Sequence, residues 1–152
     1  MMRRAGLAVL LAGLCCSPAA AAQKGRLGAG PLIGYPMAAT AKYFLSERDA
    51  VDLGAGKSDD ATFHADYVWH GWQVLPQPKI GPLALTLAAG PRVELQTDTD
   101  VGIRAMVGLS YWPRLKRSAE FFFELGPTFR LTNTARTRVD GGVGFRLYWD
   151  AR

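Results

Sequence analysis

The stretch Val101-Gly102-Ile103-Arg104-Ala105-Met106-Val107-Gly108-Leu109-Ser110-Tyr111 sets an apolar side chain at every odd position and mostly glycine or polar residues between. A strand turns successive side chains to opposite faces, so this alternation describes a ribbon with one oily face and one polar face. A helix would mix the two sets on every side. Working outward, the same pattern recurs over 27–33, 39–45, 51–55, 63–69, 83–89, 119–125 and 143–149, each run beginning and ending on the apolar face. The residues between hold nearly all the charges and both histidines. Eight two-faced strands are expected.

Alternation alone fits two cylinders, a soluble barrel with an oily centre and a membrane barrel with an oily wall. Glycine separates them. Gly28, Gly30, Gly54, Gly56, Gly102, Gly108, Gly126, Gly142 and Gly144 all share the parity of the charged residues. The interior of an eight-stranded barrel is just wide enough for side chains to fill, so small residues belong there. On the solvent face of a soluble barrel they would only weaken the strands. The polar, glycine-bearing face is therefore expected inside, and the apolar face against lipid. The fold class is all-β: an eight-stranded antiparallel up-and-down transmembrane β-barrel, preceded by a signal peptide.

Residues 1–22 have a basic start (Arg3, Arg4), an apolar run over 6–14 and the small-residue end Ala20-Ala21-Ala22. That is the pattern of an export signal, and the run is too short to span a bilayer. The expected domains are a signal peptide, 1–22, and an outer-membrane barrel, 23–152. Both cysteines, Cys15 and Cys16, fall in the signal, which leaves the mature chain without a disulfide or a thiolate ligand. Leu14 precedes Cys15 and Cys15 precedes Cys16, where a lipoprotein signal would need a small residue. The 130 remaining residues suffice for eight spanning strands of ~9–11 residues and leave no room for a second domain. Formal net charge falls from +5 to +3 without the signal, and its signs alternate along the strands, which argues against a nucleic-acid partner.

An even strand count puts both ends on one side, the periplasm of a Gram-negative bacterium. Inner connections are then expected at 46–49, 71–79 and 113–118, and short outer loops at 35–37, 57–61, 93–100 and 131–137. Membrane barrels carry aromatic girdles at the interfaces. Tyr43, Tyr67, Trp69, Tyr111, Phe121 and Trp149 fall near inner strand ends as the lipid-facing girdle, with Phe63 near an outer end. Gly30-Pro31, Gly90-Pro91 and Gly126-Pro127 each lie near the outer end of an outward-running strand, and Gly81-Pro82 begins one. Proline has no N–H for the ladder, so bulges or strand ends are expected there. Leu85 is expected near mid-membrane.

The interior polar network comprises Lys42, Asp52, His64, Asp66, His70, Arg104, Glu120, Glu124 and Arg146, joined by Arg92, Arg130 and Asp140. Cations and carboxylates nearly balance, as burial requires, since an unpaired buried charge costs several kcal/mol. Short turns imply a register in which Lys42 approaches Asp52, and Glu124 lies between Arg104 and Arg146. The expectation is an ion-pair core that plugs the lumen; the alternative is a narrow pore in which pairs switch partners.

Several motifs carry less than they suggest. Gly54-Ala55-Gly56-Lys57-Ser58 resembles the end of a phosphate-binding loop, but Val51 stands where that loop needs glycine, and no helix follows. His64 and His70 lie six positions apart, ~20 Å along a strand, too far to share an ion. Loop acids Asp59, Asp60, Asp98 and Asp100 are solvated, with calcium or cation-bridged lipopolysaccharide phosphate as the sharper alternative. A lipid A-modifying enzyme needs its nucleophile near acyl chains. The apolar set holds no Ser, His, Asp or Glu, while Ser110 and His70 lie on non-adjacent strands. No catalytic residue, metal site or cofactor is assigned.

The segments Leu27-Gly28-Ala29-Gly30 through Ala41-Lys42-Tyr43-Phe44-Leu45, His64-Ala65-Asp66-Tyr67-Val68-Trp69-His70, and Phe123-Glu124-Leu125-Gly126-Pro127 to Gly142-Val143-Gly144-Phe145-Arg146 resemble a family of small uncharacterised bacterial outer-membrane barrels. Their architecture is that of the OmpA and OmpX membrane domains. The resemblance implies an integral outer-membrane protein inserted by the barrel-assembly machinery; a monomer in contact with membrane lipids and lipopolysaccharide is expected. Surface-binding roles are suggested for some members of such a family, whose chemistry is not established, and the expected role here is structural or surface-interacting toward a surface ligand, without enzymatic activity. Those barrels finish on an aromatic residue, whereas here Asp150-Ala151-Arg152 follow Trp149.

Overall fold

Side chains that alternate between two environments hold each ribbon in a strand, and eight such ribbons close on themselves. In the computed structural model, residues 23–116, 118–132 and 136–151 are described. The strands are β1 (Arg26–Tyr35), β2 (Met37–Phe44), β3 (Asp49–Lys57), β4 (Ala61–Gly71), β5 (Leu83–Leu95), β6 (Asp100–Tyr111), β7 (Ala119–Arg130) and β8 (Arg136–Asp150). Each pairs antiparallel with its sequence neighbours, and β1 pairs with β8 to complete a closed barrel. Closure removes the unpaired edges that an open sheet would expose. The chain thus has the expected all-β, eight-stranded antiparallel fold. The expected signal peptide 1–22, with Cys15 and Cys16, lies outside the described residues.

Register carries the two-face rule around the cylinder, because a slip of one residue would invert a whole strand. Ile33, Leu53 and Val143 point outward and are 59%, 52% and 54% exposed, while Arg104, Glu120 and Arg146 point inward and are at most 1% exposed. The glycines of inward parity sit where strands or rings crowd the lumen. A Cβ on Gly54 would fall 2.0 Å from the His64 ring, and one on Gly28 2.4 Å from the Tyr148 ring.

Both chain ends lie at one end of the barrel, where Ala151 N–H donates to the Gly25 carbonyl at 3.1 Å. Residues 45–48 and 72–82 make turns at this terminal end, and the described residues 112–116 and 118 lie there between β6 and β7. Pro36 and residues 58–60 and 96–99 join strands at the far rim, where residues 131–132 follow β7. The first terminal-end turn is built by Ser46, whose hydroxyl accepts the N–H groups of Arg48 and Asp49. The strands reach further toward the far rim than the sequence reading allows. β5 to β8 span 13, 12, 12 and 15 residues against 10, 8, 9 and 11 for β1 to β4, so one side of the wall stands taller. Leu85 is the third residue of the 13 in β5 and pairs with Gly71 at the end of β4. It therefore stands near the terminal end, not at mid-height.

The Gly-Pro pairs correct another expectation. Gly81-Pro82 does precede a strand, but the other three lie within strands without a bulge. Ala29↔Leu147 and Leu32↔Gly144 keep one register across Gly30-Pro31, and the same holds across Gly90-Pro91 and Gly126-Pro127. The ladder opens for two residues and resumes unshifted. The reason is the glycine. A Cβ at Gly30, Gly90 or Gly126 would fall 1.9–2.0 Å from the backbone oxygen of Phe145, Ala65 or Ala105, the residue opposite each proline. The bare Cα lets the neighbouring strand close in where the proline N–H is missing, a contact of the Cα–H···O kind.

Candidate functional site in the barrel interior

Three layers of side chains occupy the lumen from the terminal end to the far rim. The first is aromatic. Phe44, Trp72, Trp112 and Tyr148 cluster with Ala50, Val68 and Ala84, and His70 lies 4.8 Å from the Phe44 ring and 5.7 Å from that of Trp72. Trp112 and Tyr148 rings approach to 4.5 Å. The indole N–H groups do not go unpaired: Trp72 donates to the Glu47 carbonyl at 2.8 Å and Trp112 to Ser110 Oγ at 3.0 Å. This layer is absent from the sequence reading, although its members share the glycine parity. Inward aromatics interrupt no outward pattern, so alternation alone does not flag them.

The second layer is ionic and centres on Glu120. Oε1 accepts from Lys42 Nζ at 2.8 Å and from the Ser110 hydroxyl, and Oε2 accepts from Arg146 at 3.1 Å and the Tyr148 hydroxyl at 2.6 Å. Four donors saturate one carboxylate. Arg146 also donates to Asp52 Oδ2 at 2.5 Å and Thr40 at 2.9 Å, with its guanidinium 3.8 Å from the Phe122 ring centre. Arg104 bridges Asp66 at 3.0 Å and Glu124 at 2.6 Å. Asp52 and Asp66, directly opposed across β3 and β4, each keep a buried Oδ1 without a protein partner. Both residues line a void of about 20 Å³, the space one water needs.

Two expected pairings differ here. Lys42 stands opposite Asp52 in register, yet its ammonium crosses the lumen to Glu120, because Arg146 holds Asp52. Glu124 pairs with Arg104 alone, because β7 and β8 set Arg146 opposite Glu120 and Glu124 opposite Gly142. Long side chains in a narrow tube choose partners across it, which nearest-strand reasoning misses.

The third layer lies under the tall part of the wall. Arg92 pairs with Asp140 and with Glu94 at 3.6 Å; Arg138 bridges Glu94 at 3.2 Å and Asp140 at 3.0 Å. Arg130 reaches Asp100 at 3.2 Å and Glu94 at 3.5 Å. Asp100, expected in a solvated loop, is instead the buried first residue of β6, because β6 extends past its apolar run, and Glu94 and Arg138 join it inside for the same reason. Above this layer a cup of about 280 Å³ opens to the far rim, bordered by Tyr35, Glu94, Arg130, Arg136 and Arg138. Tyr35 closes its side, donating to Asp59 at 2.6 Å beneath the Arg138 guanidinium, 4.7 Å away.

The remaining candidates have defined places. His64 stands against Gly54 and opposite Arg92, far from His70. His70 Nδ1 bonds the Arg48 carbonyl at 3.0 Å, and Nε2 faces Lys42 Nζ at 3.4 Å, so Nδ1 carries the proton in this arrangement. Ser110 donates to Glu120. Among the described residues no group of three His, Asp or Glu side chains is arranged to hold a metal ion. On the outer wall, Tyr43, Tyr67, Phe121 and Trp149 are exposed and Trp69 and Tyr111 half-buried, all toward the terminal end. Phe129 joins Phe63 toward the far rim.

No family model matches the chain, and no curated protein matches it. A solved structure does: the N-terminal β-barrel domain of Pseudomonas aeruginosa OprF aligns over 83% of this chain and 98% of that one, with a TM-score of 0.58 and 15% identity. At that identity the likeness is one of fold alone, an eight-stranded barrel.

Proposed function

We propose that the protein is an integral outer-membrane β-barrel with a structural or surface-interacting role and a lumen closed by its ion-pair network. The observation that carries this reading is the inversion of polarity: the outer wall is apolar and exposed around the whole cylinder, while the buried interior holds Lys42, Asp52, Asp66, Arg104, Glu120 and Arg146. A soluble barrel has no use for that arrangement, and a bilayer requires it. The fold shared with the OprF barrel domain supports the architecture. Sealing is supported twice over, by the saturated Glu120 and by the aromatic layer beneath it. On this reading the terminal end faces the periplasm and the cup faces outward.

Two measurements test it together. The purified mature chain refolded in detergent should run at a different mobility before and after boiling, the behaviour of a barrel that detergent does not unfold. In planar bilayers it should give no discrete conductance steps. Steps that vanish in Glu124→Ala or change amplitude in Arg104→Ala would replace the sealed lumen by a narrow pore.

A further inference from the structure

The two longer turns at the terminal end do more than cover the lumen. Residues 72–82 begin by burying Trp72 in the aromatic layer and then leave the axis, exposing Val74 at 55% and Ile80 at 70%. Residues 112–116 bury Trp112 and then expose Leu115 at 61%. The turns are tied into one body. Arg114 donates through its backbone N–H to the Ile80 carbonyl at 3.3 Å and through its guanidinium to the Lys79 carbonyl at 3.0 Å. Gln77 staples the first turn internally, donating to the carbonyls of Trp72, Leu75 and Leu83 and accepting the Leu83 N–H. The apolar tips are therefore held out by a fixed shape.

Their direction is set by two girdle residues. Gly71 shares the outward parity of Trp69, and a Cβ there would fall 2.7 Å from both the Trp69 ring and a Val74 methyl. Val74 thus lies on the outer face of the wall beside Trp69. The Tyr111 hydroxyl, also on the outer face, donates to the Ile80 carbonyl at 3.3 Å. The charge is one-sided: Lys79, Arg114 and Lys116 are exposed, and the sequence of both turns contains no Asp or Glu. The far-rim turns at 58–60 and 96–99 are the reverse, with Asp59, Asp60 and Asp98 and no cation.

We propose that these two turns form a seat for an anionic phospholipid of the leaflet at the terminal end. Lys79, Arg114 and Lys116 meet the headgroup, while Val74, Ile80 and Leu115 enter the acyl boundary beside Trp69 and Tyr111. Apolar side chains with flanking cations are what an interface of anionic lipid selects. The proposal rests on the membrane reading above. Each cation near an anionic surface favours binding about fivefold, so three favour it by a factor on the order of a hundred before screening.

The test is quenching of tryptophan fluorescence by brominated phosphatidylglycerol against brominated phosphatidylcholine, in vesicles into which the full mature chain has been inserted. Trp69 reports from within the seat. The wild type should prefer phosphatidylglycerol by at least about tenfold, falling with salt. Lys79→Glu with Arg114→Glu and Lys116→Glu should abolish the preference, and the milder Lys79→Gln with Lys116→Gln, which leaves the Arg114 contacts intact, should cut it severalfold. Arg136→Glu at the far rim should leave it unchanged. An inserted, protease-protected chain with equal quenching by both lipids, or with a preference that survives both variants, overturns the seat and leaves the membrane reading standing. A chain that does not insert overturns both.

Discussion

Glu120 shows why single side chains matter unequally inside this tube. A buried ion pair adds little net stability over an apolar filling, but removing one partner strands the others. Glu120→Ala would leave Lys42, Arg146, Ser110 and Tyr148 without their common acceptor. The expected loss is about 3–5 kcal/mol, read from the urea dependence of folding into lipid vesicles. Glu124→Ala should cost clearly less, because Arg104 keeps Asp66 at 3.0 Å and the Glu124 side chain is 15% exposed. Equal losses would mean that the layer behaves as a diffuse charge cloud and has no hub. The sequence supplied the membership of this network, since parity alone brings Lys42, Asp52, Asp66, Arg104, Glu120, Glu124 and Arg146 to one face. It could not supply the partners, which depend on reach across the lumen.

At the scale of strands, the Gly-Pro pairs mark what periodicity can and cannot tell. Alternation runs straight through Gly30-Pro31, Gly90-Pro91 and Gly126-Pro127, and the register does the same. Proline's missing donor argued for bulges because the compensating approach of the neighbouring backbone is a pairwise property that no single strand displays. That approach is testable. Gly126→Ala would drive a Cβ to 2.0 Å from the Ala105 carbonyl oxygen, whereas at Gly102 the nearest backbone oxygen is 2.7 Å away. Gly126→Ala should therefore destabilise the barrel by about 1–3 kcal/mol, the usual cost of overpacking, and Gly102→Ala by less. Urea titrations of the two variants, compared with wild type, decide the order. Strand ends were legible only where apolar residues continue. In β5 the outward apolar set resumes beyond Gly90-Pro91 at Val93 and Leu95, with Arg92 and Glu94 turned inward, and β8 begins on the charged residues Arg136 and Arg138, so a run ended at Ala89 or begun at Val143 misses the taller wall and the cup it shields.

On the membrane reading proposed above, the outside of the whole cylinder sits in hydrocarbon, and depth along the wall has meaning. Val143 is the eighth of the 15 residues of β8, points outward and is flanked by Phe123 on β7 and Ile33 on β1. Leu85, with the same outward parity, is the third residue of β5 at the terminal end. An arginine at mid-depth must drag its charge into the bilayer core, and one near the interface can reach the headgroups. Val143→Arg should accordingly lose ~2–4 kcal/mol of folding free energy in vesicles and Leu85→Arg only ~0–1, whereas Thr86→Ser on the inner face should be close to neutral. The spread between the two arginines is the informative quantity, because it reports a hydrocarbon slab and not the general cost of a mutation. Equal losses at both heights would place the wall in a uniform medium, and a neutral Val143→Arg would put that face in water.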